Sequence, residues 1–518
     1  MTQAAVPSFV DGRRVHCSGE IFVKLDPSTG SELTSLHKGR QSDVDVAMAA
    51  AHRGFRCWAA LPVAERLRIL RRAAELMRER DHELGSLEAQ ETGRPLAGVT
   101  LSSVRLGADC LDDFANAASM LFDAWRPQSR AAARTRYEPR GVCVGVGSPH
   151  RPLYAACVQA APALAAGNAV VFKPSELAPV GVVRLAEIFL EAGLPPGVFN
   201  VVQGRSGTAG MITGHRDAAA VMARETVGAG SFGLTASSSL GELVGDEVAS
   251  FRSNLIVFSD SDIEAACRAA VSTFDSHGRN GNGGARVFVQ RSVAERVLTR
   301  VSALTSRLRV GLPMDHATDV GPLICGVQLA SMLDLVTSCV ATGARLVVGG
   351  HRVVVRDAAG GFFLAPTVLA DCTDAMTRAR QGVSGPLLYV LPFDNESEVV
   401  RRVNAGTDLG DTGIFARDTD RANRVVTALA SHTCWINLSG ASSIEGPWER
   451  ADVGISALAG QLAGLLRFSR SMVVHTAGFG PSPKQCLGPA ETPKAVAPRI
   501  ADGLGETLLT LSGQGTPQ

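Results

Sequence analysis

The sequence predicts an α/β protein built on parallel sheet, and two observations predict it. From Gly141 to Gly204 an apolar strand, a helical stretch and a second apolar strand follow one another, and the pattern then repeats. That order is a βαβ unit, whose strands are covered on both faces and read as short apolar runs. The alternation returns in the second half, around Asn254, Arg345 and Cys434. Ligands of such sheets bind beyond the carboxyl ends of the strands, where Lys173 and Glu176 stand in this chain.

The elements follow in order. Phe9-Val-Asp-Gly-Arg13 and Asp26-Pro-Ser-Thr-Gly30 read as a strand-turn opening, with turn residues that tolerate left-handed backbone. Leu67, Leu70, Ala74, Met77, Leu84 and Leu87 recur at helical spacing and predict one helix from Val63 to Ala89. It ends near Glu91-Thr-Gly-Arg-Pro95, where glycine and proline stop it. Gly141 to Val146 is a strand, and a helix from Leu153 to Ala166 ends at Gly167-Asn168. Ala169 to Phe172 is the next strand and runs into Lys173-Pro-Ser-Glu176. A helix from Gly181 to Ala192, the turn Gly193-Leu-Pro-Pro-Gly197 and a strand from Val198 to Val202 complete the unit. Further strands are expected at Asn254, leading to a helix from Ile263, and at Arg345–Val348, Gly361–Leu369 and Cys434–Asn437. From about Ala477 the composition turns to proline, glycine and small polar residues, which reads as a disordered tail with a marginal helix at Ile500–Leu511.

Composition narrows the function. The chain has 518 residues, 45% of them hydrophobic and 19% charged, with a net charge of +1. Those values describe an ordinary globular protein and give no basic surface for nucleic acid or anionic lipid. No window approaches the roughly 20 apolar residues of a membrane span. The eleven cysteines are dispersed and form no Cys-x-x-Cys pair, so a reduced, cytoplasmic protein without a structural metal is expected. Lysine is rare, at positions 24, 38, 173, 484 and 494 against 46 arginines.

Several motifs resemble those of the aldehyde dehydrogenase superfamily over roughly residues 8 to 475. They are Ala161-Pro-Ala-Leu-Ala-Ala-Gly-Asn168 with Lys173-Pro-Ser-Glu176, then Gly193-Leu-Pro-Pro-Gly-Val-Phe-Asn-Val-Val-Gln-Gly204. Val310-Gly-Leu-Pro313, Asp319-Val-Gly-Pro322, Ala365-Pro-Thr-Val368, Gly385-Pro386 and Trp435-Ile-Asn437 follow in the family's order. The resemblance implies an aldehyde dehydrogenase-like fold: a Rossmann-like cofactor domain, an α/β catalytic domain and a β-strand oligomerisation arm. Its boundaries would be 1–120 with 143–251, then 252–454, with 121–142 and 455–475 as the arm and 476–518 as the tail.

The family oxidises aldehydes with NAD(P) through an attacking cysteine, an asparagine that steadies the oxyanion and a glutamate that activates water. In register with its motifs, the cysteine position is Gly281, in His277-Gly-Arg-Asn-Gly281. The asparagine position is His150, and Glu247 stands at the base. The cofactor loop falls on Met222 to Ala229, with Arg224 and Glu225 replacing glycine and serine, and the nicotinamide-ribose glutamate becomes Gly382. Gly228-Ala-Gly-Ser-Phe-Gly233 satisfies G-x-G-x-x-G, a weak signal without a clear preceding strand. Lys173 and Glu176 keep the family's adenosine-ribose positions, and Glu176 would favour NAD over NADP.

Two functions are therefore expected. One is a pseudoenzyme with a structural, regulatory or ligand-binding role, in a homo-oligomer or with an active relative. The alternative is a divergent NAD(P)-dependent oxidoreductase acting on an aldehyde, with Glu247 as base and His150 or His277 in new roles.

Overall fold

The computed structural model describes residues 5–120, 124–128, 131–223, 242–244, 254–276, 286–378, 385–405, 412–431, 433–438, 462 and 464–477. Two seven-stranded sheets organise them. The first uses β1 (Ser8–Val10), β2 (Arg13–Val15), β3 (Val142–Val146), β4 (Ala169–Lys173), β5 (Phe199–Val201), β6 (Ala220–Ala223) and β7 (Glu242–Val244). Its order is β7–β6–β3–β4–β5–β1–β2, parallel except for the β1–β2 hairpin at one edge. Val10 pairs with Arg13 across Asp11-Gly12, both with positive φ (55° and 75°). Two left-handed residues in a two-residue loop are what an Asp-Gly hairpin requires.

The second sheet uses β8 (Asn254–Val257), β9 (Arg286–Gln290), β10 (Arg345–Val348), β11 (Thr367–Ala370), β12 (Leu387–Phe393), β13 (Thr412–Phe415) and β14 (Cys434–Ile436). Its order is β10–β11–β12–β9–β8–β13–β14, parallel apart from β10. Successive residues in both sheets enter opposite cores, as a period of two demands. Val170 and Phe172 pack into one apolar cluster while Ala169 and Val171 pack into another. Ile256 and Phe288 face one side of the second sheet, and Leu255, Val257, Val287 and Val289 the other. Full burial of such side chains is worth about 1.5–3 kcal/mol each.

Helices α1 (Gln41–Ala60), α2 (Val63–Glu79), α3 (Asp81–Thr92), α4 (Pro152–Ala165), α5 (Val180–Glu191) and α6 (Ser206–Thr213) accompany the first sheet. The single helix expected from Val63 to Ala89 is two. It breaks at Arg80, with φ −114° and ψ 26°, whose side chain is held by Glu191 through two bonds of 2.7 and 2.6 Å. The apolar period continues through the break, so spacing alone conceals it. The strand expected at Gly361–Leu369 forms only from Thr367. Upstream, the Phe362 amide donates to Pro27, and Leu364 makes only an isolated antiparallel bridge with Arg352, flanked by the Ala365 amide on His351 and the Val353 amide on Phe363.

Strands Ala124–Gln128 and Ala131–Pro139 form an antiparallel hairpin, and Ser469–Ala477 completes a three-stranded sheet with them. The described residues 124–128, 131–136 and 473–477 belong to a second compact unit, and the other unit holds both large sheets. No described helix is long and apolar enough to cross a membrane.

Candidate functional site

The carboxyl edge of the first sheet gathers three of the predicted residues. Lys173 closes β4 opposite Val146, the last residue of β3. The Gly147 amide donates to the Lys173 carbonyl at 2.8 Å, so the two strands stay paired to their ends. Gly147 is needed there: a Cβ would meet the Phe172 ring at 2.9 Å. The Lys173 side chain is 2% exposed, and its Nζ donates to Glu176 Oε2 at 2.9 Å. Burial lowers the lysine's pKa, and the Glu176 carboxylate opposes that shift. Glu176 is 37% exposed, so the pair offers solvent one accepting carboxylate backed by a buried ammonium. That donor and acceptor set fits the hydroxyls of a ribose. His150 lies in the neighbouring turn after β3, where its amide donates to Ser148 Oγ at 3.2 Å.

The helices that follow β3 and β4 start at this edge, and two carboxylates of α3 hold their first turns. Glu91 Oε1 accepts from the Val180 amide at 2.6 Å and Oε2 from the Gly181 amide at 3.1 Å, which caps α5. Glu88 Oε2 accepts from the Leu153 amide at 3.3 Å and from Ser103 Oγ at 2.7 Å, and Ser103 Oγ accepts from the Tyr154 amide at 3.3 Å. Pro152 has no N–H, so the open donors of the first turn of α4 are met. Arg94 stands 3.7 Å from Glu88 Oε1. Burial pushes both glutamates up to about 7, against the pull of these donors and cations. Sequence reading missed this pair. Its signal was two glutamates three residues apart, Glu88 and Glu91, beside Leu84 on an otherwise apolar helical face.

The second sheet carries its polar row at the amino edge. Arg286, 4% exposed, donates from Nε to Asn254 Oδ1 at 2.8 Å. Asn254 Nδ2 donates to Thr412 Oγ1 at 3.1 Å, and Thr412 Oγ1 shares a proton with Ser431 Oγ at 2.7 Å. These residues open β9, β8 and β13, which are neighbours. The predicted positions Glu247, His277, Gly281, Gly382 and Ser384 lie outside the described residues, as do Arg224, Glu225, the run 228–233 and the tail helix. In the chain, however, Glu247 precedes β8, Gly281 precedes β9 and Gly382 precedes β12. All three strands are adjacent and begin at this amino edge.

Other groups are quieter. Among the described thiols most are buried, and burial raises Cys143 and Cys372 to about 12 and Cys267 to about 11, the opposite of a reactive thiolate. No group of three or more His, Cys, Asp or Glu among the described residues is placed to hold a metal. A groove of about 1200 Å³ runs between α1 and the end of α6, lined in part by His52, Arg53, Arg56, His215 and Asp217. It opens beside the residues that precede β6, at the amino edge of the first sheet, away from Lys173 and Glu176.

Comparison with known proteins fits this architecture. The family model described as "Aldehyde dehydrogenase family" matches residues 15–449. A betaine aldehyde dehydrogenase of Cereibacter sphaeroides is 41% identical over 449 residues, 86% of this chain and 92% of that protein. Among solved structures, the NAD+ complex of an aldehyde dehydrogenase from Bacillus cereus superposes with a TM-score of 0.83 at 26% identity, covering 92% of this chain and 97% of that one. An E. coli NADP dependent enzyme superposes with a TM-score of 0.82 at 26% identity, covering 91% and 98%. With matches of this extent on both sheets, the chain belongs to the aldehyde dehydrogenase family.

Proposed function

We propose that this chain is an aldehyde dehydrogenase-like protein that keeps a nucleotide-binding edge and lacks the covalent step. The observation that carries the reading is Gly281 at the register of the nucleophile. Glycine has no side chain to add to an aldehyde, and loss of a covalent nucleophile typically lowers the rate by ~10⁴ or more. Lys173 and Glu176 support retained binding of NAD or NADP, NAD being favoured because a carboxylate accepts from a free 2′-hydroxyl. When bound, the nicotinamide would supply a hydride acceptor. Lys173 would hold a sugar oxygen and position Glu176. The role is then structural, regulatory or ligand-binding, in a homo-oligomer or with an active relative, in the cytoplasm. A cofactor-type domain would span 1–120 and 143–251, a catalytic-type domain 252–454, and an arm 121–142 with 455–475.

A second reading rests on the 41% identity to a betaine aldehyde dehydrogenase. In it the chain still oxidises an aldehyde, with Glu247 as base and His150 as a hydrogen-bond donor to the aldehyde oxygen. Titration with NAD+ and NADP+, followed by an assay with betaine aldehyde, separates the two. Binding without turnover, and turnover gained by Gly281→Cys, is the expected result. Formation of NADH by the unmodified protein would sink the first reading, and absence of all nucleotide binding would sink the Lys173–Glu176 assignment in both. For assembly, light scattering of the protein with and without an active relative is decisive. A monomer under both conditions would remove the oligomer from the proposal.

A further inference from the structure

We propose that the groove between α1 and α6, at the opposite edge of the first sheet from Lys173, is a second ligand site and takes a nucleoside diphosphate. Its volume of about 1200 Å³ is ample beside the roughly 300–1,000 Å³ of ordinary small-molecule sites. One wall is a stripe of α1 from Gln41 to Arg56, and the other is the end of α6 with the turn that follows it. At 1.5 Å per residue the stripe is roughly 22 Å long, so the groove is elongated and its two ends are separate environments.

The acids of the groove are answered within it. Asp45 Oδ1 accepts from Gln41 Nε2 at 2.8 Å and stands 3.3 Å from His215 Nε2. Asp217 Oδ2 faces His52 and His215, with a nitrogen of each ring at 3.9 Å. The cations are less committed. Arg53 is tied to Asp11 at 2.9 Å, but Arg56, nearly a turn further along α1, is exposed and has no hydrogen-bond or ion-pair partner among the described residues. Arg216, on the facing wall, is 86% exposed and has only its neighbour Asp217 at 3.9 Å among the described residues. Two guanidiniums on opposite walls, each a rigid fork of donors, suit the oxygens of a diphosphate.

The rest of the groove suits a nucleoside. Met48, 1% exposed, and the partly buried Met211 line it with thioethers, which mould to aromatic rings and attract them. A Cβ at Gly210 would meet nothing within 4 Å, so a flat ring has open access to the α6 backbone. Gln41 and Asp45, at the end away from Arg56, offer an amide and a carboxylate to ring nitrogens and sugar hydroxyls. No residue of the Lys173 edge takes part, so the site stands apart from the dinucleotide reading.

Titration calorimetry and melting of the full chain with ADP, GDP, adenosine and inorganic phosphate test the site, in the wild type, Arg56→Ala, Arg216→Ala and Lys173→Met. Both diphosphates should bind the wild type and raise its melting temperature, and adenosine and phosphate should each bind at least about tenfold more weakly. Either arginine variant should weaken the diphosphates about tenfold, while melting like the wild type and binding NAD+ as it does. Lys173→Met should bind GDP unchanged. No binding of either diphosphate, full affinity in both arginine variants, or binding lost in Lys173→Met alone would overturn the site. Stabilisation by inorganic phosphate equal to that by ADP would overturn the nucleoside. A wild type that binds GDP and not NAD+ would keep this site and fail the dinucleotide reading.

Discussion

The two large sheets use opposite edges, and they differ in what stands there. At the carboxyl edge of the first sheet, Lys173 and Glu176 form an intact ion pair and Glu88 and Glu91 close two helix starts. At the amino edge of the second, Arg286, Asn254 and Thr412 form a hydrogen-bonded row on strands that follow, in the chain, the positions proposed above for the base and the nucleophile, Glu247 and Gly281. The scaffold residues that hold strands in register are present at both edges. The proposed difference lies in the residues that would touch substrate. Packing and chemistry are thus separable constraints: a sheet edge keeps its polar row because unpaired buried groups destabilise the fold, whether or not a reaction follows.

Four substitutions probe that separation. Arg286→Ala should have the largest effect, because it leaves the Asn254 oxygen without its donor at a buried position. A loss of about 3 kcal/mol is expected, read as a lower denaturation midpoint. A midpoint within error of wild type would mean that the row is not structural. Next comes the pH response of the first edge. Glu88 and Glu91 titrate near 7 in the fold, against about 4.3 when exposed. Between those values the folded chain holds protons that the unfolded chain has released, so stability falls as pH rises from about 4.5 to 7. The loss is of order 3 kcal/mol for each group. Glu88→Gln, measured against wild type by melting temperature from pH 5 to 7.5, should flatten part of that decline. A parallel pair of curves would contradict the buried titration.

Lys173→Met separates binding from folding. It removes a buried ammonium without opening a large cavity, so the melting temperature should hold while the NAD+ dissociation constant rises about tenfold, roughly 1.4 kcal/mol. Unchanged affinity would detach Lys173 from the cofactor. Arg80→Ala should matter least. The Arg80–Glu191 pair lies at the surface, so its loss should be visible only as a small shift in the midpoint.

Much of the fold was legible because it rests on local signals. Apolar runs marked β3, β4, β5 and β8, and Asp11-Gly12 marked the hairpin. What stayed hidden depends on distant partners. The break at Arg80 falls where its side chain meets Glu191, more than a hundred residues later, and the Gly361–Pro366 segment pairs with Pro27 at Phe362 and with Arg352 at Leu364 instead of extending the strand. At the site, Lys173 and Glu176 were found as neighbours in sequence. Glu88 and Glu91 were not, because only the folded chain brings their carboxylates to helices α4 and α5. A charged residue inside an apolar stripe was the available clue.

The scarcity of lysine gives Lys173 a practical use. Of the three described lysines, Lys24 and Lys173 are buried and only Lys38 is exposed. An amine-reactive mass tag applied to the native protein therefore has one fast target in this region, with Lys173 reporting whether its turn opens. Tagging of that single amine, followed by peptide mass as nucleotide is added, becomes a direct gauge of occupancy without any catalytic turnover.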